Sequence, residues 1–121
     1  MDTPYNIQDR SFLFACRIVA FSKPLFAAHP AYRELARQLI KAGTSVGANL
    51  EEADAGQSTR DFRSKIAIAR KESREARYWL RLIAHAEPHL QPAAGPLIDE
   101  ARQIYSILTA IKRNSESRRS Q

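Results

Sequence analysis

Residues 58–86 read STRDFRSKIAIARKESREARYWLRLIAHA, and their spacing decides the fold. Phe62, Ile66, Ala69, Ser73, Ala76, Leu80 and Ile83 recur at alternating four- and three-residue steps. That is the seam of a helix packed lengthwise against another helix, with one serine in it. Ser58-Thr59-Arg60-Asp61 sets a hydroxyl three residues ahead of a carboxylate, which is a helix-capping signal. The run ends near Glu87-Pro88, because the residue before a proline is pushed out of the helical region.

Working outward, a second segment from Pro30 to about Ala55 carries Leu35, Leu39, Ala42, Val46, Leu50 and Ala53 on one stripe. Gly56 is expected to stop it as a C-terminal glycine. His29-Pro30 divides it from a first segment, about Asp9 to Ala28, whose buried stripe is read as Phe12, Ala15, Val19, Ser22 and Phe26. Downstream, Pro88 to Pro96 holds three prolines and a glycine and reads as a connector. A fourth segment from about Ala94 has Leu97, Ala101, Ile104, Leu108 and Ile111 on the same heptad spacing. Asn114 to Gln121 is polar throughout and is expected to be a disordered polar and basic tail, leaving residues 1–113 as a single domain. No window alternates apolar and polar residues with β-branched enrichment, so no sheet is supported. The predicted fold is all-α, an antiparallel up-down-up-down four-helix bundle.

The chain has 121 residues, 44% of them hydrophobic and 26% charged, which suits one globular domain and excludes a disordered chain. No stretch reaches the roughly 18 apolar residues of a membrane span. The Met1-Asp2-Thr3-Pro4 start lacks the basic and apolar parts of a signal peptide, so a cytoplasmic location is expected. The lone cysteine, Cys16, has no internal disulfide partner and is read as a small core residue of the first helix.

Motifs for catalysis are weak. Gly43-Thr44-Ser45-Val46-Gly47 matches the pattern of a hydrolase nucleophile elbow, but that chemistry needs a strand-to-helix turn and this stretch lies inside a helical stripe. The physical reading is a patch of small residues that lets another helix approach closely, because helix-interior glycines cost about 1 kcal/mol each and need a compensating contact. His85 and His89 stand four apart, yet Pro88 interrupts the turn and no HExxH or cysteine cluster accompanies them. His29 reads as a solvated loop residue. Glu51, Glu52 and Asp54 read as a solvated face, since adjacent glutamates on a helix point about 100° apart. No glycine-rich phosphate loop occurs. The sequence therefore predicts no metal, no cofactor, no small-molecule substrate and no enzymatic activity.

Charge is the informative feature. The whole chain carries a net +6, and residues 58–85 alone hold eight basic and three acidic residues. At 100° per residue, Arg63, Arg70, Arg74, Arg77 and Arg81 fall within a sector of about 60° and form a row roughly 27 Å long. Asp61, Glu72 and Glu75 fall on the opposite flank of the seam. Guanidiniums in a row match a phosphate backbone, and Lys112, Arg113, Arg118 and Arg119 would extend the positive surface. The same asymmetry also suits a subunit interface in which the arginine flank of one copy meets the acidic flank of the next. Tyr78 and Trp79, among the arginines, read either as base-stacking residues or as interface and core anchors.

The middle of the chain resembles a small four-helix-bundle family first noticed as open reading frames in the intervening sequences of 23S ribosomal RNA genes. The words that carry the likeness are Gly43-Thr44-Ser45-Val46-Gly47-Ala48-Asn49, Glu52-Ala53, Ser58, Asp61-Phe62, Lys65, Lys71-Glu72, Glu75 and Tyr78-Trp79-Leu80, within a resemblance over residues 5–113. It implies a homopentameric ring, and a fold similar to the basic pentameric accessory subunit of reverse transcriptases in diversity-generating retroelements. Ser45, Asn49, Glu52 and Glu75 match the family's polar positions and are expected to form a buried hydrogen-bond network that fixes helix register. Many relatives carry glycine where Ala53 stands and proline where Gly47 stands, so local helix geometry is expected to differ there.

The sequence thus predicts a non-enzymatic homo-oligomer that binds RNA, or a nucleic-acid-handling protein, through Arg63, Arg70, Arg74, Arg77, Arg81, Lys112 and Arg113. The alternative is an interaction scaffold or accessory subunit whose arginines serve the subunit interface.

Overall fold

A computed structural model describes residues 6–55 and 58–120, with side chains through residue 116. Four helices follow one another: α1 (Ile7–Ser22), α2 (Pro30–Asp54), α3 (Thr59–Ala86) and α4 (Gln91–Ser120). Each packs on its neighbours in sequence and α1 closes against α4, with no contact across either diagonal among the described residues. Successive helices run antiparallel. Ser11 and Ile18 of α1 face Gly47 and Gly43 of α2, Tyr32 at the start of α2 meets Glu87 past the end of α3, and Arg70 of α3 meets Thr109 of α4. The architecture is the all-α up-down-up-down bundle that the spacing predicts.

Local chemistry sets the ends. Asn6 caps α1 by accepting from the Gln8 and Asp9 amides, and Ser58 caps α3 by accepting from the Asp61 amide at 3.1 Å. His29 is a cap too, where a plain loop residue was expected: its Nδ1 accepts from the Ala31 amide at 3.1 Å ahead of Pro30. The expected stop at Gly56 lies outside the described residues.

The core is the set of seams. Leu39, Ala42, Val46 and Leu50 of α2, Ile66, Ala69, Ala76, Leu80 and Ile83 of α3, and Leu97, Ala101, Ile104 and Leu108 of α4 are buried. Ser73, in the α3 seam, is fully buried and donates its hydroxyl to the Arg70 carbonyl at 2.8 Å, so its polar group is satisfied within its own helix.

The first helix departs from expectation. Its buried face is Ser11, Phe14, Ile18 and Ser22, followed by Leu25, while Phe12 is 64% and Val19 40% exposed and Phe26 also reaches solvent. Two stripes with helical spacing run through this nearly all-apolar segment and share Ser22, and the one holding Phe14 and Ile18 enters the core. Cys16, expected in the core, is exposed for the same reason. The helix also ends sooner: Lys23–Ala27 winds as a 3-10 turn, with Pro24 unable to continue the α-helical hydrogen bonds.

Two other boundaries shift. The connector expected from Pro88 to Pro96 is only the 3-10 turn Pro88–Leu90, after which α4 begins at Gln91. Pro92 sits where helical N–H groups have no internal partner anyway, and Pro96 is carried inside the helix. At the other end, α4 continues to Ser120 through the segment expected to be a disordered tail. The segment 114–120 contains neither glycine nor proline to break the helix, and Lys112 reaches Glu116 one turn on, at 2.6 Å.

Gly43 and Gly47 are the close-approach patch. A Cβ on Gly43 would lie 2.9 Å from the Ile18 side chain, whereas one on Gly47 would make ordinary contact at 3.5 Å with the Ser11 backbone. The helix α2 runs unbroken through Gly47 and Ala53.

Gly43→Ala is expected to lower stability by about 1 kcal/mol net, overpacking against Ile18 outweighing the gain in helix propensity. Gly47→Ala should raise it by up to about 1 kcal/mol. Urea denaturation followed by helical circular dichroism reads both signs, and a stabilising Gly43→Ala would contradict the packing described.

Candidate nucleic-acid interface

The arginine row of α3 borders the groove between α3 and α4. Arg63, Arg70 and Arg77 are half-buried there, and Arg74 and Arg81 are exposed. Arg70 is committed to the fold: its Nε donates to Thr109 Oγ1 at 2.7 Å and its guanidinium lies 4.6 Å from the centre of the Tyr105 ring. Thr109 Oγ1 in turn donates to the Tyr105 carbonyl at 2.9 Å, so the three residues tie α3 to α4. Arg63 Nη1 and Arg77 Nε are buried with no hydrogen-bond partner. Toward the end of α4, Arg113 is exposed and Lys112 bonds Glu116, which holds the Glu116 carboxyl below its usual range.

The α3 acids stand apart from this row, whereas Glu116 of α4 feels the charge of Arg63 at one end of it. Glu72 lies 3.7 Å from Lys71 Nζ, and Glu75 accepts from Trp79 Nε1 at 3.3 Å. Among the described residues no ion pair joins Asp61, Glu72 or Glu75 to an arginine of the row.

On α4 the groove is completed by Arg102, Tyr105 and Thr109, which sequence reasoning passed over. They were findable: Ile98, Arg102, Tyr105, Thr109 and Lys112 repeat at four- and three-residue steps, one position behind the apolar seam. Arg102 Nη2 donates to Asp99 Oδ1, and Gln103 donates to Asp99 Oδ2 at 2.7 Å. Arg102 first, then Gln103, draws the Asp99 carboxyl below its usual range. Any stabilisation from this pair is present above the ordinary carboxylate range and is lost as pH falls through the lowered value.

The four family-matched polar residues separate. Asn49 Nδ2 donates to the Ser45 carbonyl at 2.9 Å and to Ser45 Oγ at 3.0 Å, within α2. Glu75 bonds one turn along its own helix, and Glu52 is exposed. Ser45 and Asn49 are thus joined, but among the described residues no hydrogen bond links them to Glu52 or Glu75, because Asn49 and Glu75 each find a partner one turn away on their own helix. Ser45 is mid-helix, without an elbow to present it as a nucleophile. His85 and His89 are exposed, and no cluster of three or more His, Cys, Asp or Glu among the described residues could hold a metal ion. No helix of the described residues is long and apolar enough to cross a membrane.

Two apolar patches remain uncovered. Along the edge of α1 and α2, Phe12, Cys16, Val19, Gly47 and Ala48 line a groove of about 400 Å³. At the far end of α3, Tyr78, which is 55% exposed, and Leu82 line a second groove with His85, Gly95 and Ile98. Trp79 packs against the core instead, its ring 5.2 Å from that of Tyr78 in an edge-on arrangement.

The fold and the groove define a class, a four-helix bundle with a basic groove between α3 and α4. The chain belongs to the 23S rRNA-intervening sequence protein family, whose model matches residues 4–110. A solved relative is a crystal structure of a protein with unknown function from the S23 ribosomal protein family of Bacteroides thetaiotaomicron. It is 33% identical, with a TM-score of 0.79 over 88% of this chain and 97% of that one. No curated protein matches.

The groove separates arginines that hold the fold from those that do not. Arg70→Gln is expected to cost about 1–2 kcal/mol through the lost hydrogen bond and ring contact, and Arg74→Gln or Arg81→Gln less than about 0.5 kcal/mol. Chemical denaturation of the three variants checks this, and equal losses would contradict it.

Proposed function

We propose that the protein is a non-enzymatic, homo-oligomeric bundle of the cytoplasm, a ring of five, that binds RNA along its α3/α4 groove. The observation that carries this reading is the row of arginines on α3, of which Arg74 and Arg77 have no acidic partner among the described residues, bordered by Arg102 and the ring of Tyr105. Unneutralised guanidiniums along one groove suit successive phosphates, with affinity dominated by counterion release.

Oligomerisation is supported by the two apolar patches. A ring requires two different surfaces on each protomer, and Phe12 with Val19 on one edge and Tyr78 with Leu82 on another supply them. The number five comes from the family resemblance. A second reading, a protein-interaction scaffold or accessory subunit, is favoured by the same exposed stripe of α1, which suits a protein partner as well as a second copy.

RNA affinity is expected to fall steeply with salt, the slope being about −0.7 per neutralised phosphate on a single strand. Fluorescence anisotropy with a short oligouridylate across a salt series measures it, and a flat profile would remove the RNA reading. Native mass spectrometry should show a single ring that Phe12→Glu dissociates while leaving the helical signal intact. An unchanged subunit number would take the α1 stripe out of the interface.

A further inference from the structure

Midway along the α3/α4 groove, Arg74, Arg77, Arg102 and Tyr105 wall a notch of about 280 Å³. Three arginine side chains from two helices therefore line one small volume. Arg74 and Arg77 have no acidic partner among the described residues, and Arg77 Nε is buried with no acceptor at all. A buried N–H of a charged group left unbonded is costly, so Arg77 Nε calls for an acceptor from solvent or from a bound anion. One wall is fixed, since the Tyr105 ring is held under Arg70, and the Thr109 hydroxyl bonds its carbonyl. The nearby carboxylate is Asp99, which bonds Arg102 and Gln103, while Glu100 is engaged elsewhere by Arg10 at 2.7 and 2.9 Å.

We infer that this notch is a seat for one phosphate group. Its volume lies below the roughly 300–1,000 Å³ of pockets that enclose whole drug-sized ligands, which suits a tetrahedral anion at the end or along the backbone of something larger. Arginine forks bind such an oxyanion two bonds at a time. Resting on the RNA reading above, the phosphate is a backbone phosphodiester, and the notch fixes the register of the strand in the groove while the exposed arginines supply undirected attraction. The same chemistry would take a free phosphate.

Phosphorus NMR titration of inorganic phosphate against the full chain at low salt tests the seat. Saturable binding is expected, about tenfold weaker in Arg77→Gln and essentially unchanged in Arg33→Gln, an exposed arginine of α2 outside the notch. Asp99→Asn frees Arg102 and should tighten binding, an opposite sign that keeps the test decisive even if Arg77→Gln fails to fold. Absence of saturation, or equal weakening in Arg77→Gln and Arg33→Gln, would overturn the seat. A short oligouridylate that displaces the phosphate identifies the phosphodiester as the occupant. Phosphate bound in the notch but indifferent to oligouridylate keeps the seat and ends the RNA reading. Oligouridylate binding that Arg77→Gln leaves intact, with no phosphate saturation, does the reverse.

Discussion

Ile18 rests on Gly43, and the rest of the surface follows from that contact. With no Cβ at Gly43, α1 comes close enough for the Ile18 side chain to occupy the space, and Ser11 settles over Gly47 one turn further on. The helix α1 carries apolar residues on almost every side, so its own periodicity leaves its rotation open. The two glycines help to resolve it, because they leave room for Ile18 and for the backbone at Ser11 on the inward face. Turning that face inward places Phe12, Cys16 and Val19 on the outside. The exposed apolar edge is thus a consequence of core packing, and an available surface for association comes with the fold.

The opposite side of the bundle is governed by polar geometry. An arginine on the flank of a seam can reach across to the next helix or out to solvent, and the choice depends on what the next helix offers. Arg70 finds the Thr109 hydroxyl and the Tyr105 face. Arg77, two turns along, finds neither, and its Nε stays buried and unbonded. One row of like residues is thereby divided into a strut and a set of free forks, by the identity of α4 residues spaced at four- and three-residue steps.

The fold was legible because three of the four seams are unambiguous. In α2, α3 and α4 the polar flanks leave one apolar stripe each, and the residues so read are buried or packed on the core. The first helix was not, since two stripes satisfy the same spacing and only the partner surface on α2 decides between them. Proline was over-read as a breaker: Pro92 and Pro96 lie near the start of α4, where few or no internal hydrogen bonds are lost. The arginine row was legible from α3 alone, but the groove it borders was not, because its other wall depends on helix pairing. The grouping of Ser45, Asn49, Glu52 and Glu75 failed for a related reason. A common family pattern says that positions are polar, while one-turn bonds within a helix decide whom they touch.

Seam and groove have complementary energetics. The seams of α2, α3 and α4 are apolar apart from Ser73, which bonds its own helix, while on their flank Arg63 Nη1 and Arg77 Nε are buried without a hydrogen-bond partner among the described residues. Both atoms lie on the α3/α4 side, and a buried N–H of a charged group left unbonded carries a desolvation cost. A single phosphate relieves little of the repulsion among neighbouring guanidiniums, but a strand relieves it along the whole row. Ring assembly through the apolar edges would then repeat the groove around an axis. A strand spanning two grooves gains effective concentration in place of new contacts, on the order of 10²–10⁴ in avidity when the spacing matches. In such an arrangement, modest affinity at each seat is sufficient, and the packing of Ile18 on Gly43 acts on nucleic-acid binding through the edge that it leaves exposed.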